Sequence, residues 1–394
     1  MTDLPSTIQR SYRIRIYPNA DQRAVLNRWF GTARWAWNHA LERRSKAYRR
    51  RGESVSGVDV SRAITALKKT TRYNWLTEVP AGVIVQKLRD QDRAFTNFFS
   101  GRASYPRFRK RSSAQSVRVQ IDQRQHRALS RWANEDVFVP GLGAMRWRNG
   151  AHPAQAPKMV TIRRDAAGRY FVTAMVEEAP AKRPAPTNKS VGIDLGLKSL
   201  AVLSTGEVLA NPRHLRAKER RLRRAQRALS RKRRGSGRWH RTRRSVARLH
   251  ARVADTRANH LHQLTRRLVD ENQVIAVEDL SVKGLARTRL AKSVHDAGWG
   301  EFGRQLAYKA EWAGRQLVAI DRFAPSTRQC SGCGHVRAAV PLSTRRWQCP
   351  ECGAEHDRDI NAAVNIERIA LEQLPGGTGE VKRVESGRPR GEAA

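Results

Sequence analysis

Cys330-x-x-Cys333, fifteen further residues and Cys349-x-x-Cys352 account for every cysteine in the chain. Two such knuckles fold over each other and present four thiolates at the corners of a tetrahedron, the arrangement that zinc selects. Four protein ligands leave no open coordination position. The expected element is therefore a structural zinc ribbon, whose metal supplies ~10–16 kcal/mol and so most of its folding energy. His335 and His356 lie beside the pairs and read as ordinary surface residues. Four cysteines confined to one window of a 394-residue chain do not make a disulfide framework, and they place the protein in a reducing compartment, the cytoplasm.

Carboxylates close several apolar strand runs. In "SVGIDLGLKSLAVLSTG" a buried strand ends at Asp194, a glycine turn follows, and a second strand closes at Thr205-Gly206, a β-hairpin pattern. "QVIAVEDL" puts Glu278 at the end of another buried strand, and "QLVAID" ends on Asp321. An unpaired buried charge costs several kcal/mol. For Asp321 alone an arginine partner suffices as explanation. For Asp194 and Glu278, at the ends of two strands of one sheet, a metal site is the stronger reading.

Lysine and arginine outnumber aspartate and glutamate by 77 to 35, a formal charge of +42. Such a chain has a polyanionic partner. No stretch approaches the ~18 apolar residues of a spanning helix and the N-terminus lacks a signal-peptide core, so nucleic acid is expected rather than a membrane. The charge peaks between the two carboxylate strands. There Leu215, Leu222 and Leu229 recur at sevens, Gly235-Ser236-Gly237 reverses the chain, and Val246, Leu249 and Val253 resume the stripe, predicting an antiparallel helical hairpin. Its polar faces are almost wholly arginine, with Arg224, Arg231, Arg234 and Arg241 as candidate phosphate contacts, which carry no sequence information.

The N-terminal half reads as a β unit interrupted by helices. "SYRIRIYP" alternates Tyr12, Ile14 and Ile16 against arginines, and a helix follows in which Leu26, Phe30, Ala33, Trp37 and Leu41 form a core stripe. Strand periods return at Val117, Val119 and Ile121, at "VFVPGLG" and at "MVTIRRDAAGRYFVTAMV"; the proline-rich "EEAPAKRPAPTNKS" then marks the domain boundary.

"GIDLG", "VEDL", "PSTRQCSGCG" and "HDRDINAAVNI", in this order, resemble the RuvC-like nuclease half of the TnpB family, insertion-sequence-encoded proteins similar to the ancestors of type V CRISPR effectors. "RIRIYPNADQRAVLNRWFGTARWAWNHAL", "YPRFRKR" and "DAGWGEFGRQLAYKAEWAGRQLV" also resemble family stretches, so the resemblance spans nearly the whole chain. It implies a multidomain α/β protein. A β-barrel-like wedge domain (1–44 and 113–180) would carry a helical recognition insert (45–112), followed by a linker (181–189). An RNase H-like, RuvC-like nuclease domain (190–325, with the hairpin at 211–268) would continue through the zinc ribbon (326–356) to a last helix (357–372), leaving 373–394 as a disordered tail.

The resemblance further implies an RNA-guided endonuclease, nucleoid-associated in a prokaryote, whose transposon-end guide RNA pairs with one strand of double-stranded target DNA beside a short motif, with no small-molecule substrate. Asp194, Glu278 and Asp359 would be a carboxylate triad holding two magnesium ions ~3.5–4 Å apart. Arg345 would steady the scissile phosphate. Gln86 falls where the family reads the target-adjacent motif, although Gly82 departs from the longer polar residue usual nearby. A compact type V CRISPR effector would share every motif. A nuclease-dead guided repressor would have lost triad carboxylates, and a transposase proper, built on a His-x-His pair and a tyrosine nucleophile, is less expected than either.

"EHDRDINAAVNI" holds three acids, and helix geometry separates them. A helix beginning near Arg358 puts Ala362, Ala363 and Ile366 on the face of Asp359, suited to packing on a sheet. Asp357 is then the N-cap, and Glu355 belongs to the exit of the ribbon.

Overall fold

The computed structural model describes residues 7–112, 114–121, 136–147, 153, 157–179, 184–338 and 343–374. The chain divides into two compact units, Met1–Ala179 and Pro180–Ala393. The expected tail from 375 onward and residues 181–183 of the expected linker lie outside the described residues.

In the first unit β1 (Ile8–Tyr17) turns Tyr12, Ile14 and Ile16 inward, as its alternation requires. It joins β2 (Gln115–Gln120), β3 (Asp136–Val139), β4 (Gly143–Trp147), β5 (Met159–Arg164) and β6 (Tyr170–Glu178) in a sheet of order β2-β5-β6-β1-β4-β3. Side chains from all six strands meet Leu26, Trp29, Phe30 and Ala33 in one apolar cluster, the shared interior that a barrel-like sheet implies.

Between β1 and β2 lie α1 (Ala20–Arg51), α2 (Gly57–Leu67), a 3-10 helix (Thr71–Glu78) and α3 (Ala81–Phe99). A capping box of Asn19 and Gln22 starts α1, and Gly52, at φ 68°, ends it in the left-handed conformation that glycine adopts without cost. The expected boundary at 44/45 therefore falls inside one continuous helix. No breaker occurs before Gly52, and Arg44 and Ala47 are buried in the same stripe as Leu41.

In the second unit β7 (Ser190–Leu195), β8 (Ser199–Leu203) and β9 (Val208–Ala210) form an antiparallel meander. The arginine-rich α4 (His214–Ser230) and α5 (Gly237–Glu271) follow, then β10 (Val274–Glu278), α6 (Val282–Leu285), α7 (Ala291–Ala297), α8 (Trp299–Ala313) and β11 (Gln316–Ile320). A two-stranded ladder of β12 (Arg346–Gln348) and β13 (Glu355–Asp357) leads into α9 (Arg358–Glu372). The sheet order is β11-β10-β7-β8-β9, with β7, β10 and β11 parallel. The segment expected as a free linker is partly anchored to this unit: Arg315 Nη2 donates to Ala185 O at 2.8 Å, and Gln273 N to Lys189 O at 2.8 Å.

Alternation sorts the strand side chains onto two helical layers. Val191, Ile193 and Ile275 pack with Leu261 and Leu268 of α5 and Phe302 and Leu306 of α8, while Ala276, Val318 and Ile320 pack with Ile366 and Ala370 of α9. Gly192 and Ala276 thus face α9, and so, by strand parity, do Asp194 and Glu278. The approach is close: a Cβ on Gly192 would sit 2.0 Å from Ala363 O and 2.7 Å from Glu367 N. Glycine at this strand position lets the helix backbone lie directly on β7.

Gly192→Ala should therefore destabilise the protein by about 2 kcal/mol or more through forced displacement of α9. Gly303→Ala, inside α8 where an added Cβ meets nothing within 4 Å, should be neutral or stabilise by up to about 1 kcal/mol. The denaturation midpoint of full-length Gly192→Ala should fall below that of the native protein while that of Gly303→Ala does not; equal midpoints of the two variants would contradict the packing.

Candidate active site

Asp194 still pairs with Val202 of β8, one residue past Ile193, which pairs with Val277, so Glu278 at the end of the parallel neighbour lies alongside it. Asp359 enters from the first turn of α9, which begins at Arg358 as the sequence predicts. Asp357 Oδ1 caps that turn, accepting from Asp359 N at 3.0 Å and Ile360 N at 3.2 Å, and Glu355 is exposed on β13. The three acids of the segment thus take the three separate positions expected of them.

Burial, and after it the charges of Glu278 and Asp359, push the Asp194 carboxyl up to about 7, against a smaller opposing pull from Arg358 and Arg345. Glu278 accepts a hydrogen bond from Ser326 Oγ at 2.6 Å. Asp359 is held by Arg345 Nη1 at 2.8 Å and Arg358 Nη2 at 3.0 Å. Asp321 is exposed and caps its own turn, accepting from Phe323 N at 2.8 Å.

The three carboxylates share a face and an electrostatic field; the cysteine quartet is a separate cluster, its ligand atoms all within 4.8 Å of one another. A site where burial, and after it two neighbouring acids, keep one carboxyl from ionising is short of positive charge. Hard divalent cations with oxygen ligands fit that deficit.

In the ribbon, Cys330 Sγ lies 3.7 Å from Cys352 Sγ and Cys333 Sγ 3.6 Å from Cys349 Sγ. Zinc–sulfur bonds of about 2.3 Å at tetrahedral angles put sulfurs about 3.8 Å apart, so the quartet fits zinc. With four thiolates the metal has no position left for chemistry. His335 is a surface residue as expected, but His356 is not: its Nε2 lies 3.0 Å from Cys330 Sγ and its ring 4.7 Å from that of Trp347. Burial lowers the His356 pKa, and towards an ionised sulfur the neutral ring donates.

The hairpin forms where predicted. Leu222, Val246 and Val253 are buried on its seam, Gly235 turns at φ 87°, and Ser236 caps α5. Arg224, Arg231, Arg234 and Arg241 are all exposed, and none has an ion-pair partner among the described residues. Arg224 lines an open concavity with Lys218, Arg220, Arg221 and Arg227. Asp296, on α7, accepts from Leu215 N at 2.8 Å and Arg216 N at 3.2 Å, capping α4 from a distant point in sequence.

Gln86 requires a correction. It is 3% exposed within α3, so it is enclosed by the helical insert rather than presented to a base edge. Ser326, Arg358 and Gly192 are site residues that sequence reasoning missed. Of these only Gly192 leaves a signal, a glycine inside an otherwise apolar strand run.

Three family models match: one described as a probable transposase (OrfB of IS605) over residues 172–289, a Cas12f1-like TNB domain over 299–366, and a helix-turn-helix domain over 6–53. Over the last of these the structure has one strand and one long helix, not two helices. The chain is 41% identical to a putative RNA-guided DNA endonuclease of Streptomyces pristinaespiralis, covering 97% of this chain and 94% of the relative. It is 30% identical to the putative RNA-guided DNA endonuclease InsQ of Escherichia coli K12, covering 96% of each. Among solved structures it is similar to the protein of a Cas12f1–sgRNA–target DNA complex, with a TM-score of 0.55 at 10% identity over 92% of this chain and 99% of that one. No helix among the described residues is long and apolar enough to cross a membrane.

Two expectations follow. The folded state binds the Asp194 proton more tightly than the unfolded chain, whose aspartate has a pKa of about 3.9. The stability this confers is complete below about 4 and is lost as pH rises towards 7. In magnesium-free buffer the melting temperature should fall more between pH 5 and 8 for the native protein than for Asp194→Asn, and added Mg2+ should restore the native protein at pH 8 more than the variant. Parallel pH profiles would refute the charge deficit. Separately, Cys349→Ser should lose the single equivalent of zinc measured by elemental analysis; full zinc content would show that the thiolates are not its ligands.

Proposed function

The chain belongs to the TnpB family, and from that premise we propose that it is a magnesium-dependent, RNA-guided DNA endonuclease that cuts double-stranded DNA at one RuvC-like site, with a guide RNA from a transposon end. The observation that carries the proposal is the convergence of Asp194, Glu278 and Asp359 on one face of a 3+2 sheet, with Asp194 raised to about 7 by its burial and its two neighbours. The sheet order and the helices on both faces support an RNase H-like reading of the fold.

The residues divide the work. Asp194 and Glu278 project from adjacent strands and would hold the cations, with Asp359 completing the set from α9. Bound there, two divalent ions would activate water and stabilise the leaving oxygen. Arg345, which pairs with Asp359, is placed to steady the scissile phosphate. The exposed arginines of α4 and α5 contact backbone phosphates, a role in which they recognise shape and charge rather than sequence. All three carboxylates are present and face one another's field, which argues against a nuclease-dead repressor.

The full-length protein purified with its RNA should cleave DNA matching that RNA in Mg2+. Asp194→Ala, Glu278→Ala and Asp359→Ala should each abolish cleavage while guided DNA binding stays within a few-fold of native. Asp357→Ala should cost about 1 kcal/mol of stability and leave much of the activity. An active Asp359→Ala beside an inactive Asp357→Ala, or a protein free of nucleic acid that binds none, would overturn the assignment.

A further inference from the structure

Glu278 differs from its two companions. Asp359 has two arginines, and Asp194 is walled in by burial, but Glu278 ends a strand and has no arginine against it among the described residues. Its recorded partner is Ser326, whose hydroxyl donates to Oε1 at 2.6 Å and leaves Oε2 open. Ser326 is 2% exposed, so the hydroxyl is not free to swing away into solvent.

The segment carrying Ser326 is gripped from behind. Asn365 Nδ2 donates to Ser326 O at 2.8 Å and to Gln329 O at 2.7 Å; Asn361 Nδ2 donates to Gln329 O at 2.8 Å, and Asn361 Oδ1 accepts from Ser331 N at 2.9 Å. Asn361 and Asn365 are one helical turn apart on α9, 2% and 0% exposed, on a face distinct from that of Ala362, Ala363 and Ile366. Buried amides are costly unless their hydrogen bonds are made; here both amide nitrogens and Asn361 Oδ1 bond one short stretch of main chain, and Asn365 Oδ1 has no partner among the described residues. Inside that stretch sits Cys330, one of the four thiols of the zinc cluster.

We infer that Ser326 is a positioning residue for Glu278: the first turn of the zinc ribbon, clamped by Asn361 and Asn365 of α9, holds one oxygen of the carboxylate so that the other faces the divalent ions. The ribbon and the helix that carries Asp359 thereby orient the acid from the neighbouring strand. The inference rests on the triad reading above.

Manganese binding to the full-length protein, stripped of nucleic acid in high salt and followed by electron paramagnetic resonance, separates the possibilities. Ser326→Thr and Ser326→Val are nearly isosteric, so their difference reports the hydroxyl whatever packing strain the extra methyl brings. Loss of a hydrogen bond to a charged group should weaken Mn2+ binding in Ser326→Val by about tenfold or more relative to Ser326→Thr, with zinc content at one equivalent in both. The Mn2+ concentration for half-maximal cleavage should rise by a similar factor, with most of the rate recovered at saturating metal. Equal Mn2+ affinity in the Thr and Val variants, with Glu278→Ala weakened, would overturn the positioning role alone. Unchanged affinity in Glu278→Ala would overturn the triad reading beneath it.

Discussion

The second unit is organised around one contact between backbones. β7 can carry α9 at touching distance because residue 192 has no side chain, and Ala362 and Ala363 keep the opposing helix face small. That proximity decides where Asp359 lies, since it sits in the first turn of the helix and Asp194 two residues along the strand from the glycine. A bulkier contact would lift the helix and separate the two carboxylates, whatever the chemistry of the acids themselves. The glycine and the aspartate of "GIDLG" therefore serve one purpose: the first admits the helix, the second meets what the helix brings.

Much of this was legible before any coordinates. The cysteine spacing, the strand runs ending in acids and the sheet-facing period of "DINAAVNI" are local patterns with few physical solutions, and Asp357, Asp359 and Glu355 take the places that helix geometry gives them. What the pattern could not give depends on partners far away in sequence. Apolar periodicity marks buried apolar residues, whereas Gln86, Lys87 and Gln91 are buried polar ones. Lys87 is balanced by Asp90 one turn along the same helix at 2.9 Å, whereas Gln91 donates to Trp37 O at 2.8 Å, a contact that appears only once α1 and α3 have packed. The anchoring of the proline-rich stretch by Arg315 and the approach of His356 to Cys330 are products of folding in the same sense.

Charge is used in two ways within one chain. Glu219 is shared by Arg223 and Lys292, and Asp270 and Glu207 take Arg266 and Arg267, so the acids near the hairpin are already engaged. The exposed arginines left over have no ion-pair partner among the described residues, and a bound polyanion would relieve their mutual repulsion. The hairpin is thus stable as a fold through its narrow apolar seam and becomes electrostatically comfortable when phosphate lies along it.

The pairing of Arg345 with Asp359 has a thermodynamic corollary. On the proposed reading Arg345 has two possible anionic partners, a carboxylate and a phosphate, and that carboxylate has three possible cationic ones, Arg345, Arg358 and a metal ion. A metal ion on the carboxylate would loosen Arg345, and a phosphate on Arg345 would leave Arg358 as the carboxylate's one remaining arginine. Each ligand would lower an obstacle to the other, so metal and substrate would bind with positive cooperativity, and linkage would make the effect equal in both directions. The same exchange would hold the cation less tightly without DNA, a restraint built into the site.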